Sequence, residues 1–262
     1  LEYLKKKLKR TWEGPMKHRV FRTGDLVWVA ALALVTACQT IPRGHLDTTD
    51  PLVRQFSRLT TSSVSDAIDR VTGGRGFMDH AMRPLFPAKL CGRAVTVLAK
   101  PSSESEPPKM ALELIDTETP GKVLVIVMEG PDGWDVAAFG GIMCTGAAAR
   151  GFAGAVLDGG CRDVSEIQAR KFPVFAMGIV PSNSLGRYVN VAKNQPVTCA
   201  GVVVHPGDIV LGDLDGVVVV PQAREAEILR VAQELEAREA ATIQDVIRLK
   251  SIQQASQKNQ RI

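Results

Sequence analysis

The run KVLVIVM, from Lys122 to Met128, constrains the fold of this chain more than any other feature. A strand with one face in water alternates apolar and polar residues, whereas an unbroken Val, Leu and Ile run of strand length suits burial on both faces. After a loop from Glu129 to Gly133, the segment from Ile142 to Arg150 carries small and apolar residues at helical spacing. A turn at Gly151 to Gly154 then leads into a second apolar stretch, Ala155 to Leu157. Strand, helix and strand in that order predict a right-handed βαβ crossover with the two strands parallel.

Other elements follow from the same logic. Val53 to Val71 reads as helical, with a start signal from Thr61 to Asp66 in which Ser63 and Asp66 fit a capping arrangement. Gly73, Gly74 and Gly76 mark a turn, alternation from Ala94 to Ala99 predicts a strand, and Pro101 to Pro108 a loop. Met110 to Ile115 is a short helix and Asp163 to Lys171 another. Val174 to Met177, Val202 to Val204 and Val217 to Val220 are further strands. Ala223 to Ile252 is helical, with Ile228, Val231 and Leu235 forming one apolar stripe that faces its own domain or another subunit. The expected fold is a mixed α/β layered domain with helical ends.

The formal charge of +4 invites a nucleic-acid reading, but the positive charge is concentrated in residues 1–37, which carry +5, and the remainder carries −1. A near-neutral body lacks the footprint that phosphate-backbone binding requires, so a nucleic-acid partner is not expected. The five cysteines are widely spaced, with no CxxC and no Cys/His cluster, which argues against a soft-metal site. Cys91, Cys144 and Cys199 lie among apolar neighbours and read as small core residues.

The front end poses a separate question. From Met16 a basic segment precedes the apolar run Leu26 to Ala37 and then Cys38. That run is shorter than the roughly 20 residues of a membrane span and suits a signal-peptide core. Val35 to Cys38 resembles a bacterial lipoprotein cleavage box, with Cys38 as the lipid anchor, which would place the protein outside the cytoplasm. The rival reading is that Leu1 to Thr40 is mistranslated upstream sequence or a buried amphipathic element, with a cytoplasmic protein. The expected organisation is an N-terminal segment over 1–45, a central α/β domain over 46–222 and a helical extension over 223–262.

In a parallel βαβ unit, ligands gather beyond the carboxyl ends of the strands. Two loops leave those ends. In the first, Gly140 and Gly141 permit close approach, and the helix opening at Ile142 and Met143 offers free N–H groups and a positive dipole end to a carboxylate. In the second, LDGGCRD, Gly159 and Gly160 permit close approach while Arg162 and Asp163 bring a cation and an anion together. Arginine grips a carboxylate or enolate oxygen in bidentate fashion, and aspartate ligates a hard cation. The same residues also admit a structural reading: Asp163 followed by Glu166 fits a helix capping box, and paired glycines punctuate turns. The residues alone leave both readings open.

FGGIMCTGAAARGFAGAVLDGGCRD, Phe139 to Asp163, resembles the signature of the RraA-like family, which includes 4-hydroxy-4-methyl-2-oxoglutarate aldolases and oxaloacetate decarboxylases. LTTSSVSDAID (Leu59 to Asp69), CGRAVTV (Cys91 to Val97) and PGDIVLGDLDGVVVVP (Pro206 to Pro221) are similar to the family in the same order. The resemblance implies an α/β/α swivelling-type domain with a mixed sheet, assembled as a homotrimer or hexamer with sites between subunits. It also implies Asp163 as ligand of a divalent metal, Mg²⁺ or Mn²⁺, and Arg162 on the pyruvyl moiety. The backbone of Gly140, Gly141, Ile142 and Met143 would cradle the substrate carboxylate. One departure stands out: many members carry an acid where this chain has Gly141. The implied activity is cleavage of a 2-oxo acid to pyruvate by a metal-dependent lyase. The alternatives are a non-catalytic regulator of ribonuclease activity and an exported 2-oxo-acid-binding protein. A Schiff-base aldolase would need a buried lysine in one of the two loops, and neither contains one.

Overall fold

The computed structural model describes residues 44–259. The expected signal segment and the Cys38 anchor lie outside those residues. In chain order the elements are α1 (Pro51–Phe56), α2 (Thr61–Thr72), β1 (Arg83–Pro84), β2 (Leu90–Pro101), α3 (Lys109–Thr117), β3 (Lys122–Met128), β4 (Ala137–Phe139), α4 (Gly141–Ala149), β5 (Gly154–Cys161), α5 (Val164–Ala169) and β6 (Val174–Ile179). They continue with β7 (Tyr188–Lys193), β8 (Val197–Cys199), β9 (Val202–Val204), β10 (Ile209–Asp213), β11 (Gly216–Val220), α6 (Glu225–Leu249) and α7 (Ile252–Asn259).

β3 is central, as its composition predicts. It pairs in parallel with β2 on one side and β5 on the other, so the expected parallel βαβ unit is present as β3, α4 and β5. The main sheet runs β1-β6-β5-β3-β2-β10-β11, with β4 added on β5 and β7 on β2. β2, β3, β5 and β6 form a parallel block, and β1, β7, β10 and β11 join antiparallel, which makes the sheet mixed.

Alternate residues of β3 enter different cores. Leu124, Ile126 and Met128 pack with Ala111, Leu114, Cys144, Ala147 and Ile167 from α3, α4 and α5. Val123, Val125 and Val127 point the other way, into a core shared with Val156, Phe175, Val210, Val217, Val219 and the β8–β9 hairpin. The second face of β10 and β11 (Ile209, Leu211, Val218, Val220) is covered by α1, α2 and α6. Helices therefore cover the outer face, while the inner face packs largely against itself.

This arrangement corrects the expected α/β/α layering: the sheet curls into a nearly closed barrel. Its ends are drawn together by the chain just before β1, where Phe77 bridges Val218 and Met78 N–H donates to the Val217 carbonyl at 2.9 Å. Small side chains allow it. A β-carbon on Gly212 would stand 2.8 Å from Phe175 Cζ, so the aromatic ring uses the space that glycine leaves inside the curl.

Several boundaries also differ from expectation. The helix expected from Val53 to Val71 is two helices, and the cap of the second is Thr60, whose side chain accepts from Ser63 N–H, not Ser63 itself. β2 extends on both sides of Ala94–Ala99 because Cys91 and Gly92 pair with β10 and Lys100 with β7. α6 lays Ile228, Leu229 and Ala232 on the core with α1 and α2, so its apolar stripe faces its own domain. Cys91, Cys144, Cys161 and Cys199 are all buried. Burial pushes the thiols of Cys91 and Cys161 up to about 12 and that of Cys144 up to about 11, which leaves them protonated and inert.

Arg93 on β2 joins three separate segments. Its Nε donates to Asp50 Oδ2 at 2.8 Å, its Nη1 pairs with Glu225, and all three side chains are largely buried. Asp50 in turn caps α1 by accepting from Leu52 and Val53 N–H. Replacing Arg93 by methionine strands two carboxylates in partial burial and is expected to cost about 3 kcal/mol, read by denaturant unfolding. Burial pushes the Asp50 carboxyl up, but the bonds from Arg93, Val53 and Leu52 outweigh it and hold the group below the usual carboxylate range. A depressed folded value contributes stability that is present above the unfolded pKa and lost as pH falls through the folded one. Unfolding of the wild type should therefore ease as pH drops below about 4, and less so in Arg93→Met.

Candidate active site

Strand pairing sets up the site. β4 and β5 run parallel with Phe139 opposite Cys161, so the residues that follow each strand, Gly140–Gly141 and Arg162–Asp163, emerge side by side. Arg162 N–H donates to the Phe139 carbonyl at 3.1 Å, which continues the pairing one step past the strand ends. Both turns then open helices: α4 begins at Gly141 and α5 at Val164.

The capping-box reading of Asp163 is not the geometry the side chain adopts. Asp163 holds the N-cap position of α5 with a left-handed backbone, φ 58° and ψ 36°, and its side chain makes no bond to its own helix. The carboxylate crosses to the neighbouring turn, where Oδ2 accepts from Gly141 N–H at 2.9 Å. Arg162 Nε lies 3.6 Å from the same oxygen. Among the described residues, Asp163 Oδ1 and the two terminal guanidinium nitrogens of Arg162 have no partner. Both side chains are about 40% exposed, with 40% for Arg162 and 41% for Asp163, so these free atoms are open to a ligand.

Gly140 is required by this contact. A β-carbon there would stand 2.7 Å from Asp163 Oδ2, 3.1 Å from Arg162 Cγ and 3.2 Å from Arg162 Nε. Gly141 is crowded from the other side: a β-carbon would meet Glu166 Oε2 at 2.3 Å and Asp163 Cβ at 3.4 Å. Ile142 and Met143 form the first turn of α4, and their N–H groups have no partner among the described residues, as expected of a helix start without a side-chain cap. Met143 packs partly on the core, whereas the Ile142 side chain is 87% exposed.

The six residues expected at the site thus share one cavity of about 250 Å³, with Gly140, Gly141, Ile142, Met143, Arg162 and Asp163 all in its wall. Phe139, Leu112 and Leu185 contribute apolar surface to it. The sequence reading missed the β7 side of this wall, from Asn183 to Leu185, because no motif marks that segment. It also misplaced Gly159 and Gly160. They lie inside β5 and make room for protein, since β-carbons there would strike Met128 Cγ at 2.6 Å and Val180 Cγ2 at 2.3 Å. Asp158 in the same stretch is structural, accepting from Trp134 Nε1 at 2.9 Å and from Ala200 N–H at 2.6 Å.

Comparison with known proteins identifies the family. A family model described as RraA-like, Aldolase/RraA, matches residues 61–219. A Halalkalibacterium halodurans protein named as a candidate 4-hydroxy-4-methyl-2-oxoglutarate aldolase is 32% identical over 206 residues, covering 76% of this chain and 92% of its own. An uncharacterised protein of Methanocaldococcus jannaschii is 37% identical over 128 residues, 48% of this chain and 61% of its own, so the match spans less than two thirds of that relative. A crystal structure of an uncharacterised protein from Pseudomonas syringae pv. tomato has a TM-score of 0.69 at 29% identity, covering 78% of this chain and 96% of that one. Streptomyces coelicolor RraAS2, described as an unusual member of the RNase ES inhibitor RraA protein family, has a TM-score of 0.64 at 28% identity over 73% of this chain and 95% of its own. The span matched by the family model includes the Thr61 helix start, both turns of the cavity and the last strands of the barrel, and the chain belongs to the RraA-like family.

Proposed function

We propose that this chain is a divalent-metal-dependent carbon–carbon lyase that cleaves a 2-oxo acid to release pyruvate, from 4-hydroxy-4-methyl-2-oxoglutarate, oxaloacetate or both. The observation that carries this reading is the bond from Gly141 N–H to Asp163 Oδ2, which joins the two turns into one pocket and leaves Oδ1 free. The similarity to relatives named as candidate aldolases of this class supports it.

The donor set fits a hard cation. Among the described residues no group of three or more His, Cys, Asp or Glu gathers, so the chain offers the single carboxylate of Asp163 in the pocket wall. Mg²⁺ and Mn²⁺ accept such sparse oxygen sites because water and substrate oxygens complete their coordination. Bound at Asp163, the cation would supply Lewis-acid polarisation of the 2-oxo group.

The chain's own groups account for the rest. The free guanidinium nitrogens of Arg162 grip the pyruvyl oxygens and meet the negative charge that grows on them as the carbon–carbon bond breaks, a preorganised stabilisation. The open N–H groups of Ile142 and Met143, at the positive end of α4, hold the carboxylate. Lysine chemistry has no support: Lys100 is half-exposed and paired with Glu129 at 3.1 Å.

The test is pyruvate release from both substrates with Mg²⁺ or Mn²⁺ and again after EDTA, measured against the rate with free metal alone. The expected result is turnover above the free-metal rate that chelation abolishes. Turnover at the free-metal rate would remove the lyase reading and favour a non-catalytic regulator of ribonuclease activity, in line with the RNase ES inhibitor family named in the description of the Streptomyces relative.

A further inference from the structure

Away from the Arg162–Asp163 pair, the cavity wall is largely apolar. The turn before α3 contributes Pro107 and Pro108, the start of α3 contributes Leu112, and the segment before β7 contributes Leu185. Both pieces are tied to β7. Ala111 N–H donates to Asn190 Oδ1 at 3.2 Å, and the N–H groups of Arg187 and Tyr188 donate to the Ser184 carbonyl at 3.0 and 2.9 Å. Leu185 is nevertheless 44% exposed, and Ile142 in the same wall is 87% exposed. Among the described residues, Arg162 is the one basic side chain in this wall. The basic residues on the apolar segments are engaged elsewhere: Lys109 pairs with Glu106, and Arg187 Nη1 donates to the Asn183 carbonyl at 3.2 Å. Asn183 and Ser184, the wall's other polar side chains, are uncharged.

This distribution bears on the far end of the substrate. In the lyase reading, on which this inference rests, Arg162 and the start of α4 hold the pyruvyl end. A second carboxylate, carried on C4, would then meet prolines and leucines with no cation to pair it. A carboxylate moved from water onto such a surface loses hydration without compensation, whereas an aliphatic group gains from the same move. We propose that the site selects 4-hydroxy-2-oxo acids whose C4 substituent is apolar, and that Leu112 and Leu185 set this preference over dicarboxylates such as 4-hydroxy-4-methyl-2-oxoglutarate. The dicarboxylates remain substrates, at lower kcat/KM. With 4-hydroxy-5-methyl-2-oxohexanoate, the C3–C4 bond breaks and its electron pair passes into the pyruvate enolate. C4 keeps its oxygen as the carbonyl of 2-methylpropanal, the hydroxyl proton is released, and one proton is taken up at C3.

Two ligands that cannot be cleaved separate the preference from the chemistry. 5-Methyl-2-oxohexanoate and 2-oxoglutarate have the same reach, end in an isopropyl group and a carboxylate of similar shape, and carry no hydroxyl at C4. With Mg²⁺ in excess, calorimetry should show the wild type binding the first at least about tenfold more tightly. In turnover, kcat/KM for pyruvate release should favour 4-hydroxy-5-methyl-2-oxohexanoate over 4-hydroxy-4-methyl-2-oxoglutarate by about tenfold or more. Leu185→Arg puts a guanidinium into the wall at an exposed position and should reverse the binding order, or narrow the ratio at least about tenfold. Equal or tighter binding of 2-oxoglutarate by the wild type would overturn the inference whether or not the variant folds. A folded Leu185→Arg that keeps the wild-type ratio would overturn the role given to this wall. Release of pyruvate from neither hydroxy acid nor oxaloacetate would remove the lyase reading and this inference together, whereas turnover with the dicarboxylate preferred would remove only the inference.

Discussion

Asp163→Asn should lose metal-dependent pyruvate release by about 1,000-fold in kcat/KM, roughly 4 kcal/mol of transition-state stabilisation. Asparagine is the informative substitution because it changes charge and little else. Its side-chain oxygen can still accept from Gly141 N–H, so the link between the two turns survives. Asparagine also tolerates the left-handed backbone at φ 58°, where alanine would add strain of about 1 kcal/mol or more. The thermal midpoint should consequently remain close to wild type while activity disappears and excess Mg²⁺ or Mn²⁺ fails to restore it. Activity within a few-fold of wild type would mean that the carboxylate only ties the turns together.

Arg162→Lys should be nearly as damaging as Arg162→Ala, with each losing about 100-fold or more in kcat/KM. A lysine keeps the positive charge but replaces the planar fork, whose two terminal nitrogens are free in the pocket, with a single ammonium. Backbone support is unaffected, because the bond that positions this residue runs from its own N–H to the Phe139 carbonyl. If the guanidinium stabilises developing charge, kcat falls along with kcat/KM; if it only anchors the substrate, KM rises alone. Full activity in the lysine variant would show that point charge is sufficient and would remove the bidentate contact from the mechanism.

Much of the scaffold was legible before any coordinates. The Lys122–Met128 run could hardly be anything but a strand covered on both sides, and it is the centre of the sheet. The helices on either side of β3 and the apolar stripe of α6 followed from spacing alone. What escaped were segments whose pattern does not alternate. β4 is three residues long, and β5 runs on through Asp158, Gly159 and Gly160, where two glycines conceal the periodicity. β7 and β10 were not assigned either, since short strands in turn-rich sequence carry little signal of their own.

The site was legible in a different sense. Gly140, Gly141, Arg162 and Asp163 could be named as residues able to do this chemistry, yet Asp163 with Glu166 fitted a helix cap equally well. Hydrophobic patterning and turn residues are local properties, so the sequence by itself determined where the parallel strands lie and which loops leave their ends. Whether those loops meet depends on the pairing of β4 with β5, a contact between segments about twenty residues apart whose register no local pattern specifies. That pairing turns the carboxylate of Asp163 away from its own helix and sets Glu166 against Gly141. The curl of the sheet was likewise beyond local reading, because it comes from the two faces being buried unequally, one under helices and the other against itself.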